Sequence, residues 1–120
     1  MPRIAYLGPE GTFTEAALLQ MVANGSVPGA DAPTNFTPVR TDSTPGALAA
    51  VREQRADYAC VPIENSIEGS VLPTLDSLAA GSPLQIYAEF TLDVSFTIVV
   101  RRGHTGPIST IAAFPVAAAQ

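Results

Sequence analysis

At 120 residues, with 47% hydrophobic content and a mean hydropathy of +0.25, the chain has room for one domain with a real core and is too apolar for a disordered segment. A net charge of −5, with six Lys and Arg against eleven Asp and Glu, argues against nucleic-acid partners, whose affinity comes mostly from phosphate neutralisation. The single cysteine, Cys60, excludes an intrachain disulfide, and no apolar stretch approaches the ~18 residues of a membrane span, so we expect a cytoplasmic protein with no membrane partner.

From Arg3 to Leu7 a short apolar run broken by Gly8-Pro9 predicts a buried parallel strand. Thr12-Phe13-Thr14-Glu15 then has the form of a capping box, with Thr12 capping a helix from about Phe13 to Val22 and Glu15 reaching back. The amides of that first turn, beside two glycines, form a candidate anion site; the same pattern also fits an ordinary capped helix after an ordinary turn. Asn24 to Phe36, rich in Gly, Pro, Asn and Asp, predicts a surface loop. Phe36 to Arg40 predicts a second strand, which Pro38 assigns to an edge. Thr44 is the expected N-cap of a helix with Pro45 at its first position and Ala47, Leu48 and Val51 on one face, running to about Gln54. Arg52, Glu53 and Arg55 lie at its solvated end, with no role expected beyond solubility.

Tyr58 to Val61 predicts a third buried strand, in which Cys60 packs. Pro62 ends ladder pairing, and Glu64, Asn65 and Ser66 follow where a strand of an α/β sheet emerges at its carboxyl end, the edge at which such sheets bind ligands. Gly69 frees the backbone, and Ser70 is placed to cap a helix from about Val71 to Ala79, with Pro73 in its first turn and Gly81 closing it. Three strand-then-helix units in succession predict a parallel sheet with right-handed crossovers. Beyond them, Gln85 to Phe90 and Val94 to Val100 read as extended runs, one of them a crossing strand to a second lobe. Arg101 to Pro107 is a basic turn in which His104 is assigned no role. Ile108 to Phe114 reads as another strand and Pro115 to Gln120 as the start of a helix.

The sequence has no Cys and His cluster at zinc spacing, no Walker loop, and no Ser, His and acid set with a plausible elbow. Gly8-Pro9-Glu10-Gly11-Thr12 lacks the third glycine of a dinucleotide fingerprint. Two polar loops remain, at the carboxyl ends of neighbouring strands, offering backbone amides with Thr12, Thr14, Asn65 and Ser66. That set suits a small, oxygen-rich acid.

Two motifs give the chain its resemblance to a known family. They are Gly8-Pro9-Glu10-Gly11-Thr12-Phe13-Thr14-Glu15-Ala16-Ala17, and Pro62-Ile63-Glu64-Asn65-Ser66-Ile67-Glu68-Gly69-Ser70-Val71 with Asp76 and Leu78 beyond. In both, the sequence resembles the prephenate dehydratase family. Ala113-Phe114-Pro115-Val116-Ala117-Ala118-Ala119-Gln120 is a weaker third match, since the family usually has Ser-His-Pro where this chain has Ala113-Phe114-Pro115. The resemblance implies an α/β fold built as a two-lobed clamshell, similar to type II periplasmic binding proteins. Residues 1–92 would be its incomplete first lobe and 93–120 the truncated start of the second.

The implied reaction converts prephenate to phenylpyruvate with loss of water and carbon dioxide, in phenylalanine biosynthesis, with no metal or organic cofactor and in a homo-oligomer. Carried over by motif, Thr12 and Phe13 line the cleft from the first loop, and Glu64, Asn65, Ser66 and Gly69 from the second, as substrate-binding residues. The family's Thr-Arg-Phe, whose threonine is taken as the principal catalytic residue, is absent, so the catalytic residue is not assigned within these 120 residues. The phenylalanine-sensing ACT domain of longer members also lies beyond. The expectation is therefore the amino-terminal part of a dehydratase, with little or no activity alone and a tendency to self-associate through exposed apolar surface. Two alternatives stand beside it: a non-catalytic small-anion-binding lobe of periplasmic-binding type, and an arogenate dehydratase. Glu64 has two readings, a desolvated proton donor or an ionised hydrogen-bond acceptor, and the second fits half a clamshell better.

Overall fold

The computed structural model describes residues 1–113. β1 (Arg3–Leu7) is the central strand of a parallel sheet, flanked by β2 (Thr37–Thr41) and β3 (Tyr58–Cys60) in the order β2-β1-β3. Arg3 to Leu7 pair with Thr37 to Thr41 on one side, and Ile4 to Tyr6 pair with Tyr58 to Cys60 on the other. Pro38 sits on the edge strand as its missing amide requires.

Alternation along β1 divides the core into two layers. Ile4 and Tyr6 face α1 (Phe13–Ala23) and bury Leu18 and Val22, each burial contributing ~1.5–3 kcal/mol. Ala5 faces α2 (Thr44–Arg52) and meets Ala47 and Ala50, with Val39, Val51 and Val61 at the margin. The small residues on that face let helix and sheet approach closely. Part of the stretch expected as a surface loop joins the first layer, where Ala30 and Phe36 are buried and Val27 packs against them.

The chain enters α2 one residue earlier than expected. Ser43, not Thr44, is the N-cap; its backbone is extended and its hydroxyl accepts the Gly46 amide at 3.0 Å, so Thr44 and Pro45 are already helical. The helix closes with the Arg55 amide bonded to the Ala50 carbonyl and the Gln54 amide to that of Val51, a Schellman arrangement that puts Gln54 at φ +60°.

After β3, Glu64–Asn65 (β4) and Gly69–Ser70 (β5) form a small antiparallel hairpin that sequence patterning did not anticipate. Ser70 pairs with Glu64 there and caps nothing; α3 (Leu72–Ala79) starts from Val71 without a side-chain cap. Pro73 lies in its first turn, and Gly81, at φ +74°, follows its end. Arg52 is more than a solubilising charge, because its guanidinium donates to the carbonyls of Ser77 at 2.6 Å, Ala80 at 2.9 Å and Ser82 at 2.9 Å. One α2 side chain thus satisfies the open carbonyl end of α3.

From Gly81 to Ala113 there is no regular secondary structure. Neither run expected as extended, Gln85 to Phe90 or Val94 to Val100, finds a strand to pair with among the described residues, and a strand without a ladder has no defining hydrogen bonds. The same holds for Ile108 to Ala113. Phe114, the helix expected from Pro115 and most of the third motif lie outside the described residues. His104 belongs to the expected turn, its amide bonded to the Arg101 carbonyl at 3.0 Å.

Candidate functional site

Because Tyr6 pairs with Cys60 in parallel register, the loops that follow β1 and β3 leave the sheet side by side at its carboxyl end. At these exits lie the residues expected to bind substrate: Thr12 in the first loop with Phe13 opening α1, and Glu64, Asn65, Ser66 and Gly69 in the hairpin of the second. A weak contact also joins the two sides, from the Cys60 thiol to the Thr14 carbonyl at 3.9 Å.

The first loop is held from within. Thr12 donates its hydroxyl to the Leu7 carbonyl at 3.1 Å and accepts the Glu15 amide at 3.2 Å, so this side chain is occupied by the fold and acts as the N-cap. Glu15 reaches back to the Gly11 amide at 3.0 Å, one residue beyond the Thr12 amide that a capping box would engage, and its other oxygen takes the buried Tyr6 hydroxyl at 2.8 Å. The Gly11 amide first, then the Tyr6 hydroxyl and the Arg40 guanidinium 3.9 Å away, hold the Glu15 carboxyl below its usual range. Burial, reinforced by that carboxylate, raises the Tyr6 phenol. Gly8 lets the two strands' ends approach closely, since a Cβ there would lie 3.0 Å from the Arg40 Cβ and push on it. With Glu15 committed to the cap, the first-turn amides of Phe13 and Thr14 find no acceptor among the described residues. Phe13 is 51% exposed and packs edge-to-face on Phe96, ring centroids 5.8 Å apart.

In the second loop, Asn65 accepts the amides of Ile67 at 2.8 Å and Glu68 at 3.3 Å through Oδ1. This Asx turn fixes the side-chain orientation and leaves the carboxamide nitrogen as the group that can meet a ligand. Glu64 and Ser66 are exposed, Ser66 at the hairpin tip. Gly69 lies opposite Asn65 at φ +81°, a conformation the turn demands and a side chain resists. Thr74 of α3, fully buried, donates its hydroxyl to the Pro62 carbonyl at 2.6 Å, and the Val71 amide binds the Ile63 carbonyl at 2.9 Å.

Sequence reasoning found the loops and missed their supports. Tyr6, Arg40 and Thr74 carry no local motif signal, because each acts on a partner brought to it by the sheet or by the hairpin. Among the described residues no three His, Cys, Asp or Glu side chains gather as a metal site. A hollow at the opposite end of the strands is lined by Arg3, Gln54, Asp57 and Tyr58, where Arg3 and Asp57 already satisfy each other at 2.9 Å.

This arrangement can be set beside known proteins. A family model described as prephenate dehydratase matches residues 4–120. The chain is 84% identical over 121 residues to a prephenate dehydratase of Mycolicibacterium smegmatis, covering all of this chain and 39% of that protein. It is 74% identical over 121 residues to one of Mycobacterium sp. (strain JLS), covering all of this chain and 38% of the relative. The chain therefore spans well under half the length of these curated relatives. Among solved structures, it is similar to the prephenate dehydratase of Arthrobacter aurescens in complex with L-Phe, at 47% identity and a TM-score of 0.53, over 68% of this chain and 24% of that one. The Streptococcus mutans prephenate dehydratase matches at 32% identity and a TM-score of 0.53, over 68% of this chain and 37% of that one. With a mixed α/β fold like theirs and both motifs on adjoining loops of its parallel sheet, this chain belongs to the prephenate dehydratase family.

Proposed function

We propose that this chain supplies one wall of the substrate cleft of a cytoplasmic prephenate dehydratase, and that it binds prephenate without completing the reaction by itself. The observation that carries the reading is that the two motif loops leave adjacent strands at the same edge of the sheet, the carboxyl ends of β1 and β3, where Tyr6 and Cys60 are in register. Residues 1–92 are read as the first lobe of a periplasmic-binding-like clamshell and 93–120 as the start of the second. In support, the layered α/β unit ends with α3, and the described residues after it, to Ala113, carry no regular structure. The whole protein is read as a homo-oligomer, in keeping with the exposed apolar side chains of that last stretch.

The reaction needs anchoring and a proton. As the carboxylate on the prephenate ring leaves as carbon dioxide, its bonding electrons enter the ring, the ring becomes aromatic, and the ring hydroxyl departs as water once a proton is delivered to it. In this reading the Phe13 and Thr14 amides, the Asn65 carboxamide nitrogen and the Ser66 hydroxyl hold substrate carboxylates, and Gly69 lets the hairpin place Asn65. Glu64 is exposed and lacks the closed, low-dielectric surroundings of a carboxylic proton donor, so a positioning role suits it. No proton donor is assigned among these residues, which do not include the family's Thr-Arg-Phe.

Titrating prephenate into isotope-labelled chain while following amide resonances tests the wall. Movement centred on Phe13, Thr14, Asn65 and Ser66 is expected, with no phenylpyruvate absorbance developing. Resonances that stay still at millimolar prephenate, or that move only near Arg3 and Asp57, would overturn the reading; sustained turnover would overturn the assignment of the proton donor elsewhere.

A further inference from the structure

Thr74 is the one buried polar residue of the described chain and belongs to neither motif loop. A helical threonine ordinarily turns its hydroxyl back to a carbonyl one turn earlier in its own helix. Here the hydroxyl crosses to the Pro62 carbonyl, twelve residues upstream, at 2.6 Å. Pro62 has no amide and stands two residues past Cys60, the last paired residue of β3, so its carbonyl lies beyond the sheet ladder and takes its donor from α3. The next carbonyl, that of Ile63, takes the Val71 amide at 2.9 Å, and Glu64 and Asn65 then pair with Ser70 and Gly69. The chain is thus held at each of the four residues from Pro62 to Asn65. The far end of α3 is in turn fixed to α2 by Arg52.

We propose that Thr74 is a positioning residue of the site, setting where Glu64, Asn65 and Ser66 stand by fixing the backbone at Pro62. The proposal rests on the reading of that loop as a prephenate wall. In Thr74→Val the shape is kept and the hydroxyl is lost, leaving a buried carbonyl without its donor; in Thr74→Ser the hydroxyl remains.

The test uses the labelled chain in both variants, reading the Ile67 and Glu68 amides that bind Asn65 Oδ1 and the dissociation constant for prephenate. Thr74→Val is expected to move both amides and weaken prephenate about tenfold, whereas Thr74→Ser stays within about twofold of the parent chain. Thr74→Val matching the parent chain in both readouts overturns the proposal. So does Thr74→Ser being as impaired as Thr74→Val, since the hydroxyl would then not be the agent. Loss of protected β1 amides in Thr74→Val would assign the residue to the whole sheet and overturn the local role. If the parent chain fails to bind prephenate while the amides respond to Val and not to Ser, the functional reading falls and the positioning of the hairpin stands.

Discussion

Asp57 accepts the Arg3 guanidinium at 2.9 Å and the Arg3 amide at 2.7 Å, and these bonds bring its carboxyl down to about 2. The folded value lies below the ordinary 3.8, so the stabilisation is complete above that pH and drains away as pH falls toward about 2. Asp57→Asn is therefore expected to lower the urea midpoint at neutral pH, with the gap from the parent chain closing across that window; a gap that persists in acid would refute the linkage. Cys60 behaves in the opposite sense, since burial alone pushes its thiol up to about 11. A thiol reagent at mildly alkaline pH should leave the native chain untouched and label it rapidly in denaturant. Native labelling at the rate of free cysteine would show that β3 opens far more often than its packing implies.

The end of α2 illustrates a cost set by an element rather than by a side chain. Gln54 occupies the left-handed position of the Schellman turn at φ +60°, where a Cβ is disfavoured, and its carbonyl still accepts Arg3 at 3.0 Å. Gln54→Gly keeps both backbone bonds and should stabilise the fold by ~0.5–1 kcal/mol, read from the thermal or urea midpoint. Elements of this length were legible where the signal was local. The capped start of α1, the edge position forced by Pro38 and the strand character of Arg3 to Leu7 all follow from a few adjacent residues. The hairpin was not legible, because two strands of two residues each are too short to show a period, and Pro62 and Gly69 read as simple breaks. Ser43 and Thr44 are both good caps, and only the backbone decides between them. Arg52 was missed for a different reason: its acceptors are 25 to 30 residues downstream, beyond any local pattern. The site divides the same way, with the motif residues visible in sequence and Tyr6, Arg40 and Thr74 visible only after folding.

At the scale of the whole molecule, the Cα radius of gyration is 16.8 Å, against about 14 Å for a compact chain of this length. The excess comes with a long stretch that carries Ile86, Tyr87, Ile98, Val99, Ile108 and Ile111 more than half exposed. Such apolar surface seeks cover, and the chain is expected to self-associate with rising concentration. Light scattering that stays monomeric and monodisperse to millimolar concentration would contradict this. The sheet order has a further consequence, for the sequence of events during synthesis. β1 is made first yet stands in the middle, so it must wait for Thr41 to gain one neighbour and for Cys60 to gain the other. Until about half of these residues have left the ribosome, the central strand of the sheet has an open flank, and the time a nascent chain spends there is set by translation rather than by the stability of the finished sheet.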